Sequence, residues 1–268
     1  MYKILAVDLD GTLLNSRKEI PTKNLKALLE AQEKGLIVVI ASGRSTPGTM
    51  HIAKELQLEK FGGFIMAFNG GMITNCKTDE ILFQKLLPLD ILPKVYEFSK
   101  TGDFQITSYK DYHIISEDIS NKYIQYLSFA NRMEARQTDD FIKTVNYPVP
   151  KYLIVGDPEP LHELELKMRK AFEGKLNICR SDPFLLEVLP YEINKGYSLK
   201  ILLDKLNLKR EELIACGDGF NDRSMVEYAG LGVAMENAQQ EVKEVADYIA
   251  KSNEECGIEE VVRKFILS

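Results

Sequence analysis

Residues 3–13 read KILAVDLDGTL, a continuous apolar run that leads into two aspartates and a glycine. A run without polar alternation is typical of a parallel strand that is covered on both faces. Asp8 and Asp10 then fall where this strand ends and the chain turns. Ligands bind at that end of the strands in open α/β sheets. The stretch therefore predicts a parallel-sheet fold and one part of a site.

Outward from this stretch, apolar runs alternate with helical patterns. Helices are predicted over residues 22–34, after Pro47, over residues 196–206, after Asn221 and over residues 257–267. The further predicted strands, all short apolar runs, are residues 36–41, 64–68, 212–218 and 231–235. Strands and helices that alternate in this way form parallel sheets with right-handed crossovers. The predicted fold class is therefore α/β.

Residues 85–190 differ in composition from the rest of the chain. They hold 8 of the 10 prolines but only 3 of the 17 glycines, and glycines in an α/β core mark tight turns near ligands. The segment also carries the strand-like stretches FQITSY and YHIIS, and helical patterns at residues 119–130 and 161–173. We therefore expect an α+β domain at 85–190, inserted into a core formed by residues 1–84 and 191–268.

The charge and hydropathy of the chain argue against several classes of protein. The 34 lysines and arginines against 40 aspartates and glutamates give a net charge of −6, which argues against a nucleic-acid partner. The longest apolar run, LIVVIA, is far shorter than the roughly 20 residues that cross a bilayer. Asp8 and Asp10 come too early for a secretory signal, and the four widely spaced cysteines favour reduced thiols. We expect a cytoplasmic protein with a small-molecule substrate and no membrane or nucleic-acid partner; the sequence holds no signal for an oligomeric state.

Two motifs follow strands in the first half of the chain. In DLDGTL, residues 8–13, one carboxylate can act as a nucleophile while the next transfers protons. A solvated acidic turn is the alternative, whereas a calcium loop is excluded because Leu13 stands where such a loop needs glycine. Ser42, Gly43 and Arg44 follow LIVVIA. A hydroxyl, an amide and a helix start make either a phosphate cradle or an ordinary helix entry.

Two further motifs lie in the second half of the chain. Lys195, in the sequence NKG, can balance an anionic site or simply face water. GDGFND, residues 217–222, places Asp218 and Asp222 one helical turn apart with Asn221 between them. Hard oxygen ligands of this kind suit Mg²⁺, although a polar turn capped by Asp222 has the same sequence. Three of the four motifs end strands and the fourth opens a helix, in the order that one site on a parallel sheet requires.

Together, DLDGTLL, SGR, NKG and GDGFND resemble the motifs of the haloacid dehalogenase (HAD) superfamily of aspartate-nucleophile phosphatases. The α+β insert between the two core segments resembles the cap of the Cof-type branch. The stretches FNGGMI, RSDPFLLEVLP and EYAGLGVAMENA are similar to those of the YidA-like sugar-phosphate phosphatases. The resemblance implies a HAD-like, Rossmann-like parallel-sheet core and an inserted α/β cap that closes over the site and chooses the substrate.

The resemblance also implies a role for each motif residue. Asp8 is the expected nucleophile, and Asp10 is the expected general acid and base. Lys195 is expected to pair with the nucleophile and the phosphate. Mg²⁺ is expected at the Asp8 carboxylate, the main-chain carbonyl of Asp10 and Asp218, with Asp222 in support. Because acid catalysis near neutral pH needs a proton to donate, we expect a raised pKa for Asp10.

Other residues are expected to hold the substrate. Those expected to contact phosphate oxygens are Ser42, the Gly43 amide, Lys195 and the main chain at Leu9 and Asn221. Arg44 matches the pattern of the branch and is expected to have a supporting role. Tyr112, His113, Arg180 and Ser181 are candidates for substrate contacts from the insert, with ordinary packing or exposure to solvent as the favoured alternative for each.

These roles predict a Mg²⁺-dependent phosphatase that hydrolyses small phosphorylated metabolites, with sugar phosphates as the expected class, through an aspartyl-phosphate on Asp8. One alternative is a sugar phosphomutase, which would return the phosphate from the same aspartyl-phosphate to a bound sugar. The other is a non-catalytic sensor of sugar phosphates. The sensor is disfavoured because the chain retains Asp8, Asp10 and Asp218.

Overall fold

The computed structural model describes residues 2–110 and 112–268; Met1, in the predicted core, and Asp111, in the predicted insert, lie outside the described residues. The strands of the described chain are β1 (Ile4–Val7), β2 (Ile37–Ala41), β3 (Phe64–Ala67), β4 (Met72–Asn75), β5 (Ile81–Gln84), β6 (Gln105–Lys110), β7 (His113–Ser116), β8 (Glu134–Gln137), β9 (Tyr152–Val155), β10 (Leu176–Asp182), β11 (Leu185–Pro190), β12 (Leu213–Gly217), β13 (Leu231–Met235) and β14 (Tyr248–Ala250). Its helices are α1 (Thr22–Glu33), α2 (Thr46–Glu55), α3 (Leu58–Phe61), α4 (Leu92–Ser99), α5 (Lys122–Asn131), α6 (Phe141–Thr144), α7 (Pro158–Ala171), α8 (Lys195–Leu206), α9 (Arg223–Tyr228), α10 (Gln240–Lys243) and α11 (Gly257–Phe265).

Two compact units make up the chain. The first unit is the chain up to Phe83 together with Asn194–Ser268, and the second unit is Gln84–Ile193. The composition predicted these junctions after residues 84 and 190.

The first unit is built on an eight-stranded sheet in the order β14-β13-β12-β1-β2-β3-β4-β5. The strands from β14 to β3 pair in parallel, and β4 pairs antiparallel with β3. β1 lies between β12 and β2, and all four of its residues are fully buried, as its continuous apolar sequence predicted. This is the α/β arrangement that the alternating pattern predicted.

Two helices of the first unit begin where the sequence supplies a cap. The Ser45 side chain accepts a hydrogen bond from the Gly48 N–H at the start of α2. The Asn194 side chain accepts one from the Tyr197 N–H at the start of α8. Because α8 begins at Lys195, this cap also fixes the backbone of the predicted lysine of the site.

The second unit contains a six-stranded sheet in the order β10-β11-β9-β6-β7-β8. Its neighbouring strands pair antiparallel, except for the parallel pair of β7 and β8. Tyr152 and Ile154 of β9 belong to an apolar cluster with residues of α4, α6 and α7. Leu153 and Val155 belong to a second cluster with residues of α5. The unit has the α+β character that was expected of the insert.

Within the described residues, no helix combines the length and the apolar character that a membrane crossing requires. The four cysteines are free thiols, and Cys216 of β12 is buried in the core of the first unit.

Candidate active site

Residues from the predicted motifs meet at the carboxyl ends of the central strands of the first unit. Asp8 follows β1, Ser42 follows β2 and Asp218 follows β12, and these strands are neighbours in the parallel sheet. Because parallel strands end at the same edge of a sheet, residues that are far apart in the sequence become neighbours there. The Asp8 N–H donates to the Cys216 carbonyl oxygen at 3.0 Å, so Asp8 continues the pairing of β1 with β12.

Lys195 lies between two of the aspartates. Its side chain is 0% exposed, and its Nζ donates to Oδ1 of Asp8 at 2.6 Å and to Oδ1 of Asp222. Burial lowers the pKa of the Lys195 ammonium, but the charges of Asp222 and Asp8 outweigh burial and raise it above its usual range. Lys195 is therefore a fixed cation beside the predicted nucleophile.

Asp222 is engaged through both of its carboxylate oxygens. Oδ1 accepts the hydrogen bond from Lys195, and Oδ2 accepts the N–H groups of Asp218 and Gly219, each at 2.9 Å. The side chain is buried. Asp222 therefore closes the turn after β12 and at the same time holds the lysine in place.

Asp218 depends on two residues of the DLDGTL turn. The Thr12 hydroxyl donates to Oδ1 of Asp218 at 2.6 Å. Gly11 has a φ of +86°, and a Cβ at this position would overlap the Asp218 carboxylate. Glycine is thus required in this turn both for its backbone conformation and for the close approach of Asp218.

Asp8, Asp218 and Asp222 form a compact cluster, in which one oxygen from each lies within 4.8 Å of the others. Burial and the neighbouring carboxylates raise the pKa of Asp8 to about 7, although Lys195 lowers it, and they raise the pKa of Asp218 to about 8. The cluster therefore holds more negative charge than the protein cations offset. Carboxylate oxygens are the ligands that Mg²⁺ prefers, so this donor set fits a magnesium ion.

Asp10 has a different environment from the cluster. Arg44 binds its carboxylate through two parallel hydrogen bonds, Nε to Oδ2 at 2.8 Å and Nη2 to Oδ1 at 2.7 Å, and Lys18 Nζ lies 2.6 Å from Oδ1. Burial raises the pKa of Asp10, but the hydrogen bonds and charges of Arg44 and Lys18 lower it to about 2. The expectation of a raised pKa is wrong for this structure, because two cations stabilise the ionised carboxylate.

Two of the predicted phosphate-binding residues, Ser42 and Gly43, follow β2 directly. Ser42 is buried, and its Oγ accepts the Arg44 N–H at 3.1 Å. Gly43 packs against the side chain of Asn69, so that a Cβ at Gly43 would lie 3.2 Å from the Asn69 Oδ1. Leu9 is fully buried in the turn that follows Asp8.

Asn221 contacts a residue that the sequence analysis did not select. Its Nδ2 donates to Oδ1 of Asn69 at 2.8 Å. Asn69 follows β3 and Asn221 follows β12, and β1 and β2 lie between these two strands in the sheet. The two loops therefore reach towards each other across the strand ends that carry Asp8 and Ser42.

Three residues of the site escaped the sequence analysis: Thr12, Lys18 and Asn69. Asn69 stands in an Asn-Gly pair directly after a predicted strand, which signals a turn and could have identified it. Thr12 lies within DLDGTL and could have been included with its motif. Nothing in the sequence around Lys18 marks it, because its role depends on a tertiary contact with Asp10.

The residues selected in the insert lie in the second unit. Three of them are engaged by glutamates of the same unit: Arg180 Nε with Glu165 at 2.8 Å, Ser181 Oγ with Glu187 at 2.8 Å, and His113 Nε2 with Glu134 at 3.4 Å. Tyr112 is exposed. Their predicted contact with substrate stays a prediction.

Comparisons with known proteins cover almost the whole chain. The family model of haloacid dehalogenase-like hydrolases matches residues 5–262. The 5-amino-6-(5-phospho-D-ribitylamino)uracil phosphatase YcsE of Bacillus subtilis (strain 168) is 34% identical over 269 residues, which cover 99% of this chain and 96% of the relative.

Solved structures agree with these relatives. A haloacid dehalogenase-like hydrolase from Bacteroides thetaiotaomicron, whose crystal structure is known, is 43% identical to this chain. The two structures align with a TM-score of 0.91 over 98% of this chain and 99% of the other chain. The HAD subclass IIB sugar phosphatase BT4131 is 24% identical, covers 98% of both chains and shares the fold with a TM-score of 0.86.

The family match spans all four motifs as well as the insert, and the first structure aligns over nearly its full length. The predicted fold class and the predicted enzyme, a hydrolase of the phosphatase type, are confirmed. The chain belongs to the haloacid dehalogenase-like hydrolase family.

Proposed function

We propose that this chain is a Mg²⁺-dependent phosphatase that hydrolyses small phosphorylated metabolites, in particular sugar phosphates, through an aspartyl-phosphate on Asp8. The observation that supports the proposal most directly is the contact between the buried Lys195 and Asp8, at 2.6 Å, beside the Asp218 carboxylate. The negative charge of a carboxylate would repel a phosphate dianion unless a nearby positive charge offset the negative charges of both groups. Lys195 supplies such a charge without having to be reorganised during the reaction.

Asp8 is the proposed nucleophile. One of its carboxylate oxygens forms a bond to phosphorus while the bond from phosphorus to the substrate alkoxide breaks, and the alkoxide takes a proton from Asp10. Water then attacks the phosphorus of the aspartyl-phosphate and gives a proton to Asp10. The bond between phosphorus and Asp8 breaks, and inorganic phosphate leaves. This sequence divides one difficult displacement into two easier ones.

Asp10 can donate a proton only if its contacts with Arg44 and Lys18 weaken, since these contacts hold its pKa at about 2. We propose that an approaching phosphate provides this change. Its oxygens compete with the Asp10 carboxylate for the two cations, so the pKa of Asp10 rises when the substrate is bound. This exchange gives Arg44 the supporting role that its motif predicted, and it gives Lys18 the same role.

The residues that would hold Mg²⁺ are Asp8, Asp218 and the main-chain carbonyl of Asp10. When bound, the ion supplies positive charge that offsets the carboxylates and the phosphate oxygens. Thr12 orients Asp218 through the hydroxyl that donates to Oδ1. Both carboxylate oxygens of Asp222 already accept hydrogen bonds, so it is not among the proposed ligands. It supports the metal site by holding Lys195 and the turn that carries Asp218.

The proposed phosphate cradle consists of Ser42, the Gly43 amide, Lys195 and the main chain at Leu9 and Asn221. The substrate class is supported by the relative YcsE, whose named substrate carries its phosphate on a ribityl chain. We further propose that the insert, residues 85–190, chooses among phosphorylated metabolites.

A substrate panel tests the proposal. Phosphate release would be measured for sugar phosphates, ribityl phosphates, nucleotides, pyridoxal phosphate and flavin mononucleotide, with Mg²⁺ and with EDTA. We expect release that requires Mg²⁺ and falls by at least about 10³-fold in Asp8→Asn, since that substitution removes the nucleophile. Asp204→Asn, on the exposed side of α8, is the matched control and should leave the rate unchanged.

Two outcomes of the panel would contradict the proposal. Hydrolysis that persists in Asp8→Asn would exclude an aspartyl-phosphate at that residue. Turnover that appears only when a sugar bisphosphate is added, with phosphate transferred to the sugar, would favour the phosphomutase.

A further inference from the structure

The side chain of Asn69 is buried but lacks one hydrogen-bond partner. It is 1% exposed, and its Oδ1 accepts from Nδ2 of Asn221. Its Nδ2 has no acceptor among the residues that the structure describes. Buried amide groups nearly always have partners, so a donor of this kind calls for an explanation.

The position of this donor points to the phosphate-binding end of the site. The Asn69 amide lies against Gly43, where a Cβ would come within 3.4 Å of Nδ2. A second buried donor without an acceptor in the described chain, Nη1 of Arg44, belongs to the residue that follows Gly43. Two buried donors without acceptors, one packed against Gly43 and one on the residue that follows it in the sequence, indicate that an acceptor-rich group binds near this loop, and the oxygens of a phosphate are such acceptors.

The backbone holds Asn69 in this position. Phe68, Asn69 and Gly70 all have positive φ values, of 54°, 54° and 98°. The Asn69 N–H donates to the Ser42 carbonyl oxygen at 3.0 Å, and the Phe68 N–H donates to the Arg44 carbonyl oxygen at 2.9 Å. Such a run of left-handed residues is costly and persists only where the surroundings fix it, which is common at ligand sites.

We infer that Nδ2 of Asn69 donates a hydrogen bond to a phosphoryl oxygen of the substrate and of the product phosphate. Asn221 fixes the orientation of the Asn69 amide, since it uses the acceptor oxygen and leaves the donor directed at the anion. Asn69 is thereby a phosphate-binding residue in addition to those proposed above. The inference rests on the proposed phosphatase function, which it deepens.

Binding of inorganic phosphate in the presence of Mg²⁺ tests the inference without a known substrate. Calorimetric titrations would compare the wild type with Asn69→Gly and Asn69→Asp. Glycine tolerates the left-handed conformation and removes the amide, whereas aspartate keeps the oxygen that Asn221 contacts and removes the donor. Asn207→Gly is the matched control, because Asn207 is an exposed residue of the same unit with a φ of 53°.

We expect the dissociation constant of phosphate to rise at least about tenfold in Asn69→Gly, and further in Asn69→Asp, where a carboxylate would repel the anion. Asn207→Gly should bind phosphate as the wild type does. If Asn69→Gly fails to fold, the isosteric Asn69→Asp decides the question. Unchanged affinity in a folded Asn69 variant, or no phosphate binding by the wild type, would overturn the inference.

The proposed function fails separately. If the wild type binds phosphate through Asn69 but hydrolyses no member of the substrate panel, the inference about Asn69 stands and the proposed phosphatase function is wrong. If the wild type hydrolyses substrate and Asn69→Gly binds phosphate as the wild type does, the proposed phosphatase function stands and the inference about Asn69 is wrong.

Discussion

Lys195 shows how much of the site depends on a single buried charge. Its ammonium group contacts Asp8 and Asp222, and the latter also holds the turn that carries Asp218. A buried ion pair is an uncertain source of stability, because desolvation offsets the attraction. Removing one partner is nevertheless strongly destabilising, since it leaves the other charges buried without compensation.

Substitution of this lysine therefore has two expected effects. Lys195→Met should lower the free energy of unfolding by about 3 kcal/mol or more, because Asp8 and Asp222 lose their buried cation. It should also abolish phosphate release. Urea unfolding and the rate with the best substrate of the panel measure the two effects.

Lys200→Met is the control for this prediction. Lys200 lies on the same helix and pairs with Asp204 at 3.0 Å, but both side chains are exposed. Exposed pairs of this kind contribute little to stability, so both readouts should stay near the wild type. Equal losses of stability in the two variants would contradict the role of Lys195 as the buried counter-ion.

The sequence predicted the positions of individual site residues where a chemically suitable side chain directly follows a predicted strand. Asp8, Asp218 and Ser42 could be predicted to meet, because each ends a strand of one parallel sheet. The state of Asp10 could not be predicted. Its low pKa depends on Arg44 and Lys18, and no local pattern states that their side chains converge on one carboxylate.

The turn at residues 68–70 connects the loop that follows β2 to helix α8. The Gly70 carbonyl oxygen accepts a hydrogen bond from Ser198 Oγ at 2.8 Å. A Cβ at Gly70 would overlap Ser198 Oγ and the Asn194 carbonyl oxygen. The glycine therefore allows the turn to touch the first residues of α8, next to Lys195.

Gly70→Ala should be harmful for two reasons. Alanine at a φ of 98° is strained, at a cost of about 1–2 kcal/mol, and its Cβ would displace the start of α8 at a further cost of about 1–3 kcal/mol. Because Lys195 lies at that start, phosphate release should also fall. Urea unfolding and activity assays measure both changes.

Gly62→Ala separates the cost of backbone strain from the cost of displacing the start of α8. Gly62 has a φ of 78°, but nothing lies within 4 Å of the position that its Cβ would take. This variant should show only the smaller loss of stability and should keep full activity. A Gly70→Ala protein that behaves like Gly62→Ala would show that the contact with α8 does not matter.

The elements that the sequence predicted are those with a continuous apolar run or a helical period. β1, β2, β3, β12 and β13 all match such runs within one residue at either end. In the eight-stranded sheet, the strands β4, β5 and β14 were missed. They are three or four residues long and largely not buried, so only their pairing in the sheet defines them.

The carboxylate cluster makes the stability of the whole protein depend on pH and on bound cations. An acid whose pKa is higher in the folded state than in the unfolded chain destabilises the fold as the pH rises. Asp8 and Asp218 have folded pKa values of about 7 and about 8, against an ordinary value of 3.8. Both therefore contribute a loss of stability that develops between pH 4 and pH 8.

In EDTA, the melting temperature should fall over that interval. Asp218→Asn should reduce the fall and should melt above the wild type at pH 8 but not at pH 4, because the amide cannot ionise. Mg²⁺ should raise the melting temperature of the wild type at pH 8 more than at pH 5, since its ligands must be deprotonated. Thermal scans across pH, with and without Mg²⁺, measure these effects.

The exposed Asp204→Asn variant serves as the control and should follow the wild type at each pH. An Asp218→Asn profile that is identical to the wild type in EDTA would contradict the assignment of the pH dependence to the cluster.

The order of the strands also has a consequence for the growing polypeptide. β1, β2 and β3 leave the ribosome early, but the partner on the other side of β1 is β12, which is translated after the entire second unit. Until then, β1 presents an unpaired apolar edge that can join other chains. The second unit is one continuous segment and can fold in the interval. Lys195 and Asp218, which lie beside Asp8, emerge only after the second unit, so the carboxylate cluster cannot assemble until that later part of the chain has been made.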